Sequence, residues 1–238
     1  MECEPGYTGP LIGFDLDDTL YKELDFLKSG FQAVAHYVSN DTGIDPLIIF
    51  EKMISSRESG HNAFDMLADL YYSADRDVFI SKAVDIYRFH LPQLSASKEA
   101  IDLLTALTNR GIRLALVTDG RSRTQRAKLS ALGMTRFFHP DNILISEETG
   151  TNKLNIKPWK TLVRRYPNAS RFIYIGDNPA KDFIIPHKLG WTTIGILDSG
   201  HNIHKQYPIP EDSYAPNIWV KDLQSLYQEL AILIHKTN

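Results

Sequence analysis

The sequence predicts an α/β protein: a parallel sheet with helices on both faces, interrupted by an all-helical insertion. Three observations lead there. Short apolar runs of strand length recur along the chain, helix-like segments separate them after the first, and one long stretch between the first two runs has helical periodicity alone.

The runs are residues 11–14, 112–117, 143–145, 172–175, 192–197 and 218–220. Most are continuously apolar rather than alternating, which suits strands covered on both faces. Between them, 100–109, 123–132, 159–166 and 179–189 read as helices. Asn178-Pro179 and Lys157-Pro158 place proline at a first helical position, and Gly111, Gly133 and Gly190 follow helix ends. The stretch 21–93 breaks this rhythm. Leu27, Phe31, Val34 and Val38 recur at helical spacing, Asp45-Pro46 opens a second helix, and 63–71 and 75–89 read as two more. The expected domains are a sheet core of 1–20 and 94–238 and a helical cap of 21–93. An insertion after the first strand emerges at the sheet's carboxyl edge, where open α/β sheets bind ligands, so it is placed to be a lid.

Composition narrows the function. With 43% hydrophobic and 23% charged residues in 238, the chain is neither collagen-like nor low-complexity. A net charge of −3 gives no reason for nucleic acid or anionic membrane as a partner, so a small soluble molecule is expected. The single cysteine, Cys3, excludes an internal disulfide and a paired-cysteine zinc site. The N-terminus lacks a basic and apolar signal segment and no run of 18 apolar residues occurs, so a cytoplasmic protein is expected, a monomer or weak homodimer.

The chemistry concentrates where strands end. Phe14-Asp15-Leu16-Asp17-Asp18-Thr19-Leu20 sets three carboxylates at the end of the first strand. In an extended segment Asp15 and Asp17 point to the same side, about 6 to 7 Å apart at their backbones. Like charges held together call for a cation or a proton between them, and a divalent cation is implied. The second strand ends in Thr118-Asp119-Gly120, a hydroxyl beside flexible amides, and the fourth in Gly176-Asp177-Asn178, with Asp182 five residues further on. The carboxyl ends of a parallel sheet converge, making neighbours of Asp15, Asp17, Thr118 and Asp177. Oxygen ligands of this kind select Mg²⁺ over zinc.

These segments, together with Lys157-Pro158, resemble the four ordered motifs of the haloacid dehalogenase superfamily, in the subgroup with a helical cap between the first and second motifs. The resemblance runs from Leu11 to the C-terminal helix and implies a Rossmann-like core. It also implies roles. Asp15 attacks phosphorus to give an aspartyl phosphate, and Asp17 is general acid for the leaving oxygen and then base for water. Asp15, the backbone carbonyl of Asp17 and Asp177 hold Mg²⁺, with Asp182 behind them. Thr118, Lys157 and the amide of Asp119 hold the phosphoryl oxygens. Asp17 favours phosphoryl transfer, because the dehalogenases that name the superfamily lack an acid there. The loop 150–158 offers two lysines; Lys157 is preferred for its proline, and Lys153 is the fallback, read as a solvated loop lysine. Asp119 stands where asparagine is commoner in the family.

Other polar residues read as surface. These are His201 and His204 in a polar loop, the basic cluster Arg121, Arg123, Arg126 and Lys128 on a solvated helix face, and Arg57, His61, Asn62, Arg88 and His90 in the cap. The leading expectation is a Mg²⁺-dependent phosphatase for a small phosphomonoester, since a closing cap excludes polymers. The alternatives are a sugar phosphomutase on the same scaffold and a non-catalytic binding protein with a relic site.

Overall fold

A computed structural model describes residues 3–209 and 211–235. Among these, six strands form one parallel sheet: β1 (Leu11–Phe14), β2 (Arg113–Thr118), β3 (Ile143–Ile145), β4 (Phe172–Gly176), β5 (Thr192–Ile196) and β6 (Ile218–Val220), in the order β3-β2-β1-β4-β5-β6. The order reverses direction at β1, whose neighbours are β2 and β4, with Phe14 in register with both Leu116 and Ile175. Strands 1, 2 and 4 therefore end side by side at the topological switch point, the place where open α/β sheets bind ligands. Apart from Arg113 and Phe172 where β2 and β4 begin, their residues are buried, as continuous apolar runs require.

The helices that follow the strands are α5 (Lys98–Asn109), α6 (Ser122–Ala131), α7 (Ser146–Thr149), α8 (Ile156–Arg165), α9 (Ile184–Lys188) and α10 (Leu223–His235). One face of the sheet packs Leu11, Val117 and Tyr174 against Trp159, Leu162 and Trp191. The Trp159 and Tyr174 rings meet edge to face at 4.7 Å, an arrangement that adds about 1 kcal/mol to area burial. Gly111, Gly133 and Gly190 take φ of 73°, 63° and 74°, the left-handed conformation that ends a helix without a Cβ clash.

Two helices differ from expectation. Asn155 accepts from the Lys157 amide and caps α8, so the helix starts at Ile156 and Pro158 is third in it rather than first. The third amide of a helix lacks an internal partner anyway, so proline is tolerated there. The helix expected over 179–189 shortens to α9 because Asp182 turns its side chain back onto the Asp177 and Asn178 amides, holding 179–183 as turns.

The chain divides into two units, one running to Glu23 and resuming at Ser95, the other Leu24–Leu94. The second unit is wholly helical: α1 (Glu23–Thr42, from Leu24), α2 (Pro46–Glu58), α3 (Ala63–Tyr71) and α4 (Arg76–Phe89). Leu27, Phe31, Val34 and Val38 are all buried, and Phe31, Phe64 and Tyr87 form its aromatic centre. Asp45 and Asn62 cap α2 and α3 through the Leu47 and Phe64 amides. Asn62 thus has a structural task, as does His90, which pairs with Ser29 Oγ at 2.9 Å and packs on Phe26. No helix among the described residues is long and apolar enough to cross a membrane.

Candidate active site

Asp15 directly follows β1. Its amide donates to Ile175 O at 2.8 Å, which extends the ladder to β4 and fixes where its buried side chain stands. Asp18 then takes φ 53°, a left-handed conformation that aspartate tolerates better than most residues. Its Oδ1 accepts from Glu23 N at 3.0 Å and its Oδ2 from Ile203 N at 2.8 Å, so the turn is held from both sides. Between the two, Asp17 faces the same cavity as Asp15, as alternation along an extended segment requires.

That cavity has a volume of about 90 Å³ and is lined by Asp15, Asp17, Thr118, Asp119, Lys153 and Asp177, with Lys181 and the exposed His204 at its side. The structure thus brings together every expected residue of the first, second and fourth segments. It does not bring Lys157. Lys157 is exposed and its Nζ donates to Thr149 O at 2.8 Å, a carbonyl at the end of α7. Lys153 takes the place expected of it: the side chain is 4% exposed, and Nζ lies 2.7 Å from both Asp15 Oδ1 and Asp182 Oδ1.

The physical reason is that the loop is not free at Lys153. The Lys153 amide donates to Asp119 Oδ1 at 3.1 Å, and its carbonyl accepts from the indole of buried Trp159 at 2.9 Å. A residue pinned at both backbone groups can hold a side chain in one direction. The helix start fixes Lys157 just as firmly, but on the outer side.

Asp182 is fully buried, with Oδ1 on Lys153 and Oδ2 accepting from the Asp177 and Asn178 amides at 3.1 and 2.8 Å. Glycine at 176 is what allows this. A Cβ there would collide with the Asp182 carboxylate. Asp177 Oδ2 accepts from Asn202 Nδ2 at 2.9 Å, and Gln206 donates to the Asp177 carbonyl at 2.8 Å, so the loop after β5 braces the acid. Neither Asn202 nor Gln206 was visible as a functional residue, because the loop's polar composition matches any surface loop.

Carboxyl oxygens of Asp15, Asp177 and Asp182 lie within 4.8 Å of one another. Burial and the neighbouring carboxylates of Asp182 and Asp17 push Asp15 up to about 7 despite Lys153, and burial with Asp182 and Asp15 pushes Asp177 up to about 9. Three acids and one ammonium leave uncompensated negative charge in a buried place, and an all-oxygen set of this kind fits a hard divalent cation. Lys153 goes the other way. Burial alone would lower it, but Asp15 and Asp182 hold it well above the ordinary lysine value.

Asp17 has a different environment. Its Oδ1 accepts from Tyr21 OH at 2.5 Å and from Lys128 Nζ at 2.7 Å, and its Oδ2 from Gln125 Nε2 at 2.8 Å. Burial alone would raise its pKa, but Lys128 and these hydrogen bonds outweigh it and leave it below the usual carboxylate value. Gln125 also reaches Thr118 Oγ1 at 2.7 Å. Lys128, expected on a solvated face, is a correction: its side chain is 4% exposed, turned inward by the charge of Asp17. The arrangement offers a buried carboxylate beside a lysine, a second carboxylate of different character, and a hydroxyl, all around one small polar cavity.

Residues 12–196 match the family model described as haloacid dehalogenase-like hydrolase. The chain belongs to that family. It is a hydrolase. It is similar to a glyceraldehyde 3-phosphate phosphatase of Methanocaldococcus jannaschii, 28% identical over 222 residues that cover 90% of this chain and 94% of that one. It is also similar to a ribulose-1,5-bisphosphate 5-phosphatase of Halopiger xanaduensis, 26% identical over 191 residues covering 77% and 70%. Among solved structures it shares its fold with the magnesium-bound YfnB of Bacillus subtilis, with a TM-score of 0.62, 21% identity and coverage of 94% and 99%.

Proposed function

We propose that the chain is a Mg²⁺-dependent phosphatase that hydrolyses small phosphorylated sugars through an aspartyl phosphate on Asp15. The observation that carries this reading is the cavity at the switch point, where Lys153 Nζ stands 2.7 Å from Asp15 Oδ1 and the acids of two other segments converge. The chain is a phosphoric monoester hydrolase, as the curated relatives it resembles are named phosphatases, of glyceraldehyde 3-phosphate and of ribulose-1,5-bisphosphate.

Asp15 supplies the nucleophile: a carboxylate oxygen forms the bond to phosphorus while the bond to the sugar oxygen breaks. Asp17, held ionised by Lys128, Tyr21 and Gln125, must first take up a proton to give one to the departing oxygen; it then takes a proton from the water that attacks the phosphoaspartate, which releases phosphate and restores Asp15. Lys153 neutralises the phosphoryl oxygens and favours the ionised form of Asp15, and Thr118 donates its hydroxyl to the same oxygens. Asp182 orients Lys153 and the 177–178 amides. Asp15, the carbonyl of Asp17 and Asp177 would hold Mg²⁺, which when bound offsets the negative charge of acid and phosphoryl group. The unit Leu24–Leu94 serves in this reading as the cap that selects small substrates.

Phosphate release by purified protein, measured over a panel of three- to six-carbon sugar phosphates with Mg²⁺ or with EDTA, tests the proposal. Turnover of at least one, lost with EDTA and restored by Mg²⁺, is expected. Absence of turnover across the panel, or full activity in EDTA, would overturn it.

A further inference from the structure

Resting on the reading of Asp17 as acid and base, we propose that Lys128 is a positioning residue for the reaction, clamping the Asp17 carboxylate in the one orientation that serves both proton transfers. The first observation is where the lysine is. On α6, whose neighbours Arg123 and Arg126 are exposed, Lys128 is buried, with its side chain 4% exposed. A lysine ammonium taken out of water costs several kcal/mol unless it is well paired, and a methionine or leucine would fill such a place at no such cost. The ammonium therefore answers to something specific in its surroundings.

The second observation is what it reaches. Nζ lies 2.7 Å from Asp17 Oδ1 and 3.7 Å from Glu23 Oε1, and sits 5.9 Å from the centre of the Tyr21 ring. Tyr21 donates its hydroxyl to the same Oδ1, and Gln125 holds Oδ2, so the carboxylate is gripped at both oxygens and cannot turn about its last torsion without losing bonds. The third observation ties the grip to the rest of the site. Gln125 Nε2 reaches Thr118 Oγ1 at 2.7 Å and Asp119 O at 3.0 Å, so the aim of Asp17 and the place of the phosphate-facing hydroxyl are set by one amide.

A short side chain with a free terminal torsion spends most of its time misaligned, and rate falls steeply when a reacting group is misplaced. Lys128 is the charged member of the clamp, so it supplies both direction and most of the holding energy. A residue that only supported the fold would weaken every step alike. One that acts through Asp17 must lose its effect once Asp17 can no longer transfer protons.

A double-mutant cycle reads this difference. Wild type, Lys128→Met, Asp17→Asn and the double variant are compared for phosphate release from a sugar phosphate, and for the phosphorylation step on p-nitrophenyl phosphate by rapid quench, all at saturating Mg²⁺. Lys128→Met is expected to lower kcat by about ten- to a hundredfold with KM changed by less than about threefold, the scale for misaligning a proton-transfer group. In the Asp17→Asn background the same change should cost less than about twofold. Lys128→Arg should recover part of the loss by restoring a charged donor. If Lys128→Met does not fold, as judged by circular dichroism, Lys128→Gln enters the same cycle with the same expectations. Equal losses in both backgrounds, or an unchanged kcat in a folded variant, would overturn the inference while leaving the phosphatase reading intact. Wild-type turnover by Asp17→Asn would overturn the acid and base reading, and this inference with it.

Discussion

Replacing Lys153 by alanine should cost far more activity than replacing Lys157, although both lie in one loop and only Lys157 precedes a proline. The structure sets the magnitudes. Lys153 Nζ is 2.7 Å from two buried carboxylates, Asp15 and Asp182, and its side chain is 4% exposed. Removing it leaves Asp15 and Asp182 without their common cation, and breaking a buried pair in this way destabilises by roughly 3 to 5 kcal/mol. The same ammonium faces the cavity, and loss of one preorganised charge that stabilises a transition state lowers kcat by on the order of a hundredfold or more. Lys157 is exposed and holds one carbonyl at the end of α7, so its loss should change stability by less than about 0.5 kcal/mol and activity by less than about threefold. Steady-state kinetics with one sugar phosphate at saturating Mg²⁺, with urea unfolding of each variant, measures both effects. Equal activities, or a larger loss for Lys157→Ala, would refute the assignment of the ammonium to Lys153.

Gly176→Ala forces a Cβ onto the Asp182 carboxylate and should destabilise by about 1 to 3 kcal/mol in urea unfolding, with weaker Mg²⁺ activation as the 177–178 amides lose their acceptor. In Asp17→Asn, phosphoenzyme should accumulate on p-nitrophenyl phosphate and the rate loss should be greater for an alkyl phosphate, because only the alkoxide needs a proton; identical losses for both would exclude Asp17 as the acid. Without metal, the raised pKa values of Asp15, about 7, and Asp177, about 9, mean that the folded state binds more protons than the unfolded state. The stability they contribute is therefore full below the ordinary aspartate value and is lost as pH rises through 7 and 9. In EDTA the thermal midpoint should fall between neutral pH and pH 9, and Mg²⁺ should raise it more at the higher pH; a flat profile in EDTA would contradict the charge balance described here.

The strands were the most legible part of the fold. Residues 11–14, 143–145 and 218–220 are strands at the very bounds their apolar runs define; the first two are buried throughout, as a strand covered on both faces requires. The four helices of the second unit were equally plain, each opened by a capping residue or carried by apolar spacing. Local signals misled where a distant group decides. Pro179 suggests a helix start, but the reach of Asp182 back to the Asp177 amide holds that segment as turns. Lys157-Pro158 suggests a fixed lysine, but Lys153 is fixed by Asp119 and Trp159, neither of which its own loop reveals. Gln125 and Lys128 lie on a helix of mostly polar sequence, and although Leu129 is buried on the same face, what pairs with the two polar groups is Asp17, more than 100 residues away. Acids at strand ends are legible because topology alone gathers them; their partners depend on packing that sequence spacing does not carry.

The account stands on Asp15 as the group that takes the phosphoryl. Mass spectrometry of Asp17→Asn, acid-quenched after mixing with Mg²⁺ and p-nitrophenyl phosphate, whose leaving group needs no proton, tests this directly. One phosphoryl group on the peptide that contains Asp15, and none in the Asp15→Asn, Asp17→Asn double variant, is the predicted result. A phosphoryl group on another residue, or single-turnover phosphate release with no phosphopeptide formed, would contradict it.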